Sequence, residues 1–362
     1  MKYLIDIGHP AHVHLYRNSI ADLIQRGHQV VVTVKNITSA KVLLDYYNIP
    51  FIPLGGKSDS IGGKVFNQLK YNFKLWYIVR KHHIDLAFGS SLTIAHVSAI
   101  SKLQSIVLDD DDDDAQPLIV KYGHPFCTSL LSPDALIASR KKKDTVFYPG
   151  YHELAYLHPK RFQPDPSVLS DVGLNPGVPF FIMRFNVFKA HHDVGINGLT
   201  LQQKLQLVEL LKPHGRIFIT TERDIEPELK QYQMTVSPEK AHSLMAFATM
   251  FIGDSQTMTS EAAVLGVPGI KCNSFAGKLS VPNQLEDYGL CYSFLPQDFD
   301  KMVSKIEELL TFSNLKQEWN TRRKNMLNDK IDVTAFMVWF IENHPASVNL
   351  VKNDQAFWGN FK

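Results

Sequence analysis

The sequence predicts an α/β protein of two doubly wound, Rossmann-like domains with a cleft between them and a final helix that crosses back to the first domain. Three observations predict it. Strand-length apolar runs alternate with amphipathic helical patterns along most of the chain. The alternation breaks once, over residues 150–179, where prolines cluster and strand signals are few, and then resumes. A late segment, residues 333–342, is too apolar for a free surface helix and follows a second series that already looks complete. The length of 362 residues also favours two domains.

Residues 1–7 read as a buried first strand, followed by the loop Gly8-His9-Pro10-Ala11. Val13, Tyr16, Ile20, Leu23 and Ile24 recur at helical spacing, Gly27 ends that helix, and the valine-rich run 29–34 is the second strand. This β-α-β unit implies parallel pairing. A helix over 40–47, a strand over 51–54, a helix over 64–82 and a strand over 86–89 continue the series. A helix over 93–102 and a strand over 105–108 then lead into six consecutive aspartates, and 135–138 reads as a strand end. The boundaries expected are a first domain over 1–165, a second over 166–330, and the crossover helix with its tail over 331–362. In the second domain, strands are expected at 180–184, 216–220, 250–252 and 269–272. Helices are expected at 201–211, 241–248, about 258–265, 299–310 and 314–326. The tail after His344 is polar with isolated aromatics and receives no element.

Composition narrows the function classes. Hydrophobic residues make up 44% and charged residues 20%, enough apolar surface for two cores. A net charge of +2 gives no argument for a nucleic-acid partner. Three widely spaced cysteines, Cys127, Cys272 and Cys291, form neither a zinc spacing nor a disulfide framework, so a reduced, cytoplasmic chain is expected. The N-terminal apolar run is short and interrupted by Asp6, unlike a signal peptide, and no segment reaches the roughly 20 apolar residues that span a bilayer.

Residues 253–270, GDSQTMTSEAAVLGVPGI, carry the clearest chemistry. Gly253 permits a tight turn at the strand end. Ser255, Thr257 and Thr259 bring hydroxyls to a helix start whose unpaired N–H groups and dipole suit a diphosphate. Glu261, one turn later, can accept bonds from two sugar hydroxyls. Simple helix capping by the same residues is the alternative.

This segment resembles the nucleotide-binding helix of GT-B enzymes, among them the non-hydrolysing UDP-N-acetylglucosamine 2-epimerases and the lipid-intermediate N-acetylglucosaminyltransferase. The opening DIGHPAHVHLYRNSIADLIQRGHQVVVTV resembles the first strand-loop-helix-strand of GT-B glycosyltransferases. Taken whole, the chain resembles the domain-of-unknown-function 354 family. The motifs are IDIGHPAHVH, GYHELAYLHPKRFQPD, TMTSEAAVLGVPGI and FAGKL, spread over most of the first 290 residues. They mark a family and a fold, not a reaction. The resemblance implies a nucleotide-sugar site with the nucleotide on the second domain, Glu261 at the ribose and Ser255, Thr257 and Thr259 near the phosphates. It implies no cofactor, the nucleotide sugar being substrate, and no metal.

Arg184 ends one strand and Arg223 follows another, where ligands of parallel α/β sheets bind, and an arginine fork suits phosphate. Each can equally be a surface ion pair. Gly277, Lys278 and Gln284, in the loop 275–284, are candidates for phosphate or sugar. In the first domain Gly8, His9 and His12 occupy the loop after strand one. His9 is the expected catalytic base and His12 a substrate contact or cap. Asp109 and Asp110 open the aspartate run at a strand end, as a base, as orienters of a histidine or as cation ligands; a solvated loop is the plainer reading. Glu153 lies where the chain passes between domains, at the cleft or in a hinge. The helix 64–82 carries Phe66, Leu69, Phe73 and Trp76 against Lys70, Lys74 and Lys81, which suits anionic lipid or, with the aromatics inward, a core.

These readings give a GT-B-type glycosyltransferase in cell-surface glycan synthesis, acting on a glycan or lipid-linked acceptor, with peripheral contact at the inner face of the membrane. A sugar-nucleotide epimerase is the second reading, and a non-catalytic sugar-nucleotide or glycan binding protein the third.

Overall fold

The computed structural model describes residues 1–56, 61–185, 198–221, 225–353 and 355–362. The chain divides into two compact units. Residues 1–161 and 330–362 form one, and residues 162–329 the other.

In the first unit, seven parallel strands are ordered β3-β2-β1-β4-β5-β6-β7 among the described residues. They are β1 Lys2–Ile7, β2 Gln29–Lys35, β3 Phe51–Gly55, β4 Leu86–Gly89, β5 Gln104–Leu108, β6 Ser129–Pro133 and β7 Val146–Tyr148. The order reverses beside β1, where β2 and β4 pair on either side of it, so the β1 and β4 loops open at a switch point. Gly89 is required there, because a Cβ at that position would lie 2.8 Å from the carbonyl oxygen of Asp6. The connecting helices are α1 Pro10–Gln25, α2 Thr38–Tyr46, α3 Ile61–His82, α4 Leu92–Ala99, α5 Pro117–Tyr122 and α6 Leu154–Leu157. α1 starts where sequence chemistry dictates: Pro10 sits in its first turn, and His9 caps it.

The second unit has five parallel strands in the order β12-β11-β10-β8-β9 among the described residues. They are β8 Phe180–Phe185, β9 Arg216–Thr221, β10 Met250–Gly253, β11 Gly269–Cys272 and β12 Cys291–Phe294. The helices are α7 Val168–Asp171, α8 Leu201–Leu211, α9 Ala241–Phe247, α10 Gln256–Leu265, α11 Ser280–Asp287, α12 Phe299–Leu310 and α13 Leu315–Asp329. Two packed parallel α/β sheets are thus present.

The closing helix α14 Val333–Glu342 lies against α1 and α6 in the first unit. The Thr334 hydroxyl donates to the Ala155 carbonyl at 2.7 Å, and the Asn18 amide donates to the same oxygen at 2.8 Å. Asp332 caps α14 and accepts from Arg161, which also bonds Asp22.

Several elements differ from the sequence expectation. The tail after His344 folds as α15 Ala346–Asn353 and a 3-10 turn, Gln355–Phe361. Phe361 and Trp358 close over Phe336, so the isolated aromatics complete an apolar cluster. The expected strand end at 135–138 is a 3-10 turn, Asp134–Leu136, after β6. The expected connector 150–179 is no free linker: Tyr151 and all of α6 are buried in the first unit. Short β7 and β12 and helix α11 gave too little periodicity to be read.

Candidate functional site

Functional residues gather at the carboxyl ends of the strands in each unit. In the first unit, the loops after β1, β4 and β5 enclose a cavity of about 170 Å³ lined by His12, Ser90, Ser91, Asp109, Asp110 and Asp111. Asp6 anchors its floor. It is fully buried and accepts from Thr33 at 2.7 Å and from Ser91.

The aspartate run is largely folded into the protein rather than solvated. Asp109, Asp112 and Asp113 are buried. Arg140, with a fully buried side chain, donates to the Asp109 carboxylate at 3.2 Å, to the Asp109 carbonyl at 2.9 Å, to Asp113 and to Ser132. His124 Nε2 meets the other side of Asp109 Oδ2 at 2.7 Å. Asp109 is therefore held as the counter-ion of a buried cation, where removing either partner would leave a charge unpaired. Asp114 alone is the exposed ion-pair member, bonded to Lys141 at 2.6 Å.

Asp110 is different. It bonds His152 Nδ1 at 3.0 Å. Burial opposes the charge on Asp110, but His152 outweighs it and holds the carboxyl below its usual range. Burial likewise works against the His152 imidazolium, and Asp110 outweighs it, raising the pKa. With Nδ1 facing a carboxylate, the proton sits on Nδ1 and the Nε2 lone pair is the free one. Among the described residues Nε2 is buried without a hydrogen-bond partner. This is the arrangement of an oriented histidine base.

His9 and His12 have the opposite polarity. His9 Nδ1 accepts from the Ala11 N–H, and His12 Nδ1 accepts from the Gly8 N–H, both at 3.2 Å. In each neutral ring the proton then lies on Nε2, so these histidines offer a donor. His9 is the N-cap of α1, exposed in the loop after β1. Burial, and then the neighbouring His9 and His152, push His12 down to about 3, so it stays neutral. Glu153 is buried at the start of α6, next to His152. The carboxylates of Asp109, Asp110 and Asp111 offer oxygens within 4.8 Å of one another, a spacing a divalent cation accepts. Burial, then the two neighbouring carboxylates, push Asp111 up to about 7.

In the second unit the centre is the turn from β10 into α10. The sequence places the helix near Met258; it begins two residues earlier, at Gln256, because Ser255 caps it and accepts from the Met258 N–H. Gly253 lets β10 press on β8, since a Cβ would lie 2.1 Å from the Arg184 carbonyl oxygen. Thr257 is exposed in the first turn, where backbone N–H groups have no intrahelical acceptor. Thr259 is buried and donates to the Ser255 carbonyl at 2.7 Å, so its hydroxyl faces its own helix rather than a ligand. Glu261 is buried and bonds His242 Nε2 of α9 at 2.9 Å. It is not a capping residue.

Arg184 ends β8 and donates to Thr220 at 3.0 Å. Arg223 lies outside the described residues. Gly277 and Lys278 occupy an exposed turn. Gln284 lies within α11 rather than in the expected loop. Lys271, which sequence reading missed, is fully buried on β11 opposite Gly253 and donates to Gln256 at the start of α10. Burial lowers its pKa to about 8 against the pull of Cys291 and Glu286, so it is still largely a cation at neutral pH. A lysine inside a central apolar strand was the available signal. His152, Arg140, His124 and His242 were also missed, each lying far in sequence from its carboxylate.

The profile of the family described as a protein of unknown function, DUF354, matches residues 1–341. The chain belongs to that family. An uncharacterised protein of Methanocaldococcus jannaschii is 21% identical over 294 residues, covering 74% of this chain and 80% of the relative. Among solved structures, a putative UDP-N-acetylglucosamine 2-epimerase from Listeria monocytogenes superposes with a TM-score of 0.68 at 11% identity, covering 95% and 96% of the two chains. The UDP-GlcNAc 2-epimerase of Methanocaldococcus jannaschii, in complex with UDP-GlcNAc and UDP, gives 0.62 at 15%, covering 90% of this chain and all of that one. The glycosyltransferase SsfS6 of Streptomyces sp. SF2575, complexed with thymidine diphosphate, gives 0.62 at 15%, covering 94% and 99%. At such identities the likeness is one of fold: the chain shares the GT-B fold of glycosyltransferases and UDP-GlcNAc 2-epimerases.

Proposed function

We propose that this protein is a nucleotide-sugar-dependent glycosyltransferase of the GT-B type, acting on a hydroxyl acceptor. The observation that carries the reading is the His152–Asp110 pair, whose free Nε2 is poised to take one proton. The acceptor oxygen attacks the anomeric carbon, the bond from that carbon to the phosphate oxygen breaks, and the acceptor proton passes to His152 Nε2. The nucleoside diphosphate leaves with the bonding electron pair.

The second unit carries the features suited to a diphosphate. The α10 N-terminus, the Thr257 hydroxyl, Arg184 and the buried Lys271 cation supply positive potential there. Glu261, its carboxylate oriented by His242, bonds the ribose hydroxyls. The binding of UDP-GlcNAc, UDP and thymidine diphosphate by similar folds supports a nucleotide-sugar ligand. No cofactor or metal is required in this scheme.

Epimerisation is the competing reaction, and the test separates the two. A thermal-shift screen of nucleotides and nucleotide sugars selects the donor, which is then incubated alone and with hydroxyl acceptors. A transferase releases nucleoside diphosphate in proportion to the acceptor glycosylated. Interconversion of the sugar without acceptor would assign the protein to the epimerases, and binding to none of the ligands would remove both.

A further inference from the structure

Of the two readings the sequence leaves for α3, the aromatics inward or facing out, most of the aromatics face out. Its core side is Tyr71, Leu75, Ile78 and Val79, all buried. Phe66, Leu69, Phe73 and Tyr77 are exposed, Phe73 by 70%. Lys70, Lys74, Arg80 and Lys81 are exposed on the same side. Positions 66, 69, 70, 73, 74, 77, 80 and 81 recur every three to four residues, so apolar and basic side chains share one stripe.

The stripe continues on its neighbours. α4 packs beside α3 and the turn His124–Phe126 packs on α4, and Ile100 and Phe126 are exposed. Leu69, Phe73, Trp76, Ile100 and Phe126 line an apolar depression of about 630 Å³. Lys102 and Lys121 add charge, and residues 61–84, 92–103 and 117–128 contain no aspartate or glutamate. Lys70 lies 4.3 Å from the Phe66 ring centroid and Arg80 4.7 Å from that of Trp76. These two basic heads thus sit over ring faces of the same helix.

We infer that this face of the first unit docks on an anionic lipid bilayer. Exclusively basic charge is complementary to anionic headgroups, and aromatic and aliphatic side chains interleaved with lysine are the composition of a helix lying in the membrane interface. The centre of a protein interface is depleted of lysine, whereas here lysine recurs along the centre of the stripe. The attachment is peripheral: no helix among the described residues is long and apolar enough to cross a membrane. The inference is independent of the reaction assigned above.

The test is co-sedimentation of the full chain with phosphatidylcholine vesicles and with vesicles of equal parts phosphatidylcholine and phosphatidylglycerol. The wild type binds the anionic vesicles, binds the neutral ones far more weakly, and is released by salt. Lys70→Gln with Lys74→Gln weakens binding about fivefold per charge removed. Phe73→Glu weakens it by at least about tenfold with an unchanged melting temperature, because Phe73 faces solvent. No binding to anionic vesicles, or equal binding by the variants, overturns the inference. So does a wild-type dimer in sedimentation velocity that Phe73→Glu dissolves, which would give the face to a second copy.

Discussion

The carboxyl end of β5 and the carboxyl end of β10 are built by the same rule and carry opposite chemistry. Both follow a parallel strand into a loop, β10 next to β8, where the order of its sheet reverses, and β5 one strand beyond β4 from the reversal at β1. At β5 the loop holds aspartates, the first two matched to particular partners: Asp109 to Arg140 and His124, Asp110 to His152. At β10 the loop leads into a helix N-terminus with Lys271 buried behind it. The backbone opens a loop at the carboxyl end of each strand; in the proposed function the side chains decide whether that edge moves a proton or receives negative charge. Fold likeness alone therefore leaves the reaction open, and the polarity of each edge is what supports the reading proposed above.

The comparison breaks most visibly at His152. His152→Ala is expected to lower kcat by about 10²- to 10⁴-fold, the range of one general base, while nucleotide affinity stays within a few-fold. Asp110→Asn should lower kcat and also move the acidic limb of the pH–rate profile. The carboxylate stabilises the imidazolium, so its loss lowers the His152 pKa and shifts the limb to lower pH. An unmoved limb would make Asp110 a purely structural partner.

Removal of Arg140 tests the structural half of the same edge. Arg140→Met leaves Asp109 and Asp113 buried without their cation and is expected to cost about 3–5 kcal/mol in stability, measured by urea denaturation. On the other edge, Glu261→Ala should weaken nucleotide binding by at most about 1.5–3 kcal/mol per bond lost, measured by calorimetric titration of a folded mutant. The smallest effect is at Asp111. Its folded pKa of about 7 lies above the unfolded value, so between about pH 4 and pH 7 the folded state holds a proton that the unfolded state has released. Stability from this group falls as pH rises across that window. Asp111→Asn should raise the melting temperature at pH 7.5 and leave it nearly unchanged at pH 4.

The strand–helix alternation was legible because buried parallel strands are continuous apolar runs, as at 1–7 and 250–252. The turn at 253–261 was legible because its glycine, hydroxyls and carboxylate fall within nine residues. The partners were not. Asp110 and His152 are separated by 42 residues, and Glu261 and His242 lie on different helices, so their pairing depends on how the chain packs. The aspartate run was read as solvated because charge runs usually are; the basic residues 140–143 that neutralise part of it lie thirty residues on. The orientation of α3 stayed open for a related reason: aromatic spacing marks a face of a helix but not the side on which the core lies.

In the proposed function nucleotide affinity depends on Lys271 and proton transfer on His152. The most direct test is calorimetric titration of the nucleoside diphosphate selected by the screen into wild type, Lys271→Met and His152→Ala, with folding verified by melting. Lys271→Met is expected to lose at least about tenfold in affinity, the scale of one charge-assisted bond, and His152→Ala to bind within about twofold of wild type. The reverse pattern, with affinity lost at His152 and retained at Lys271, would contradict the account.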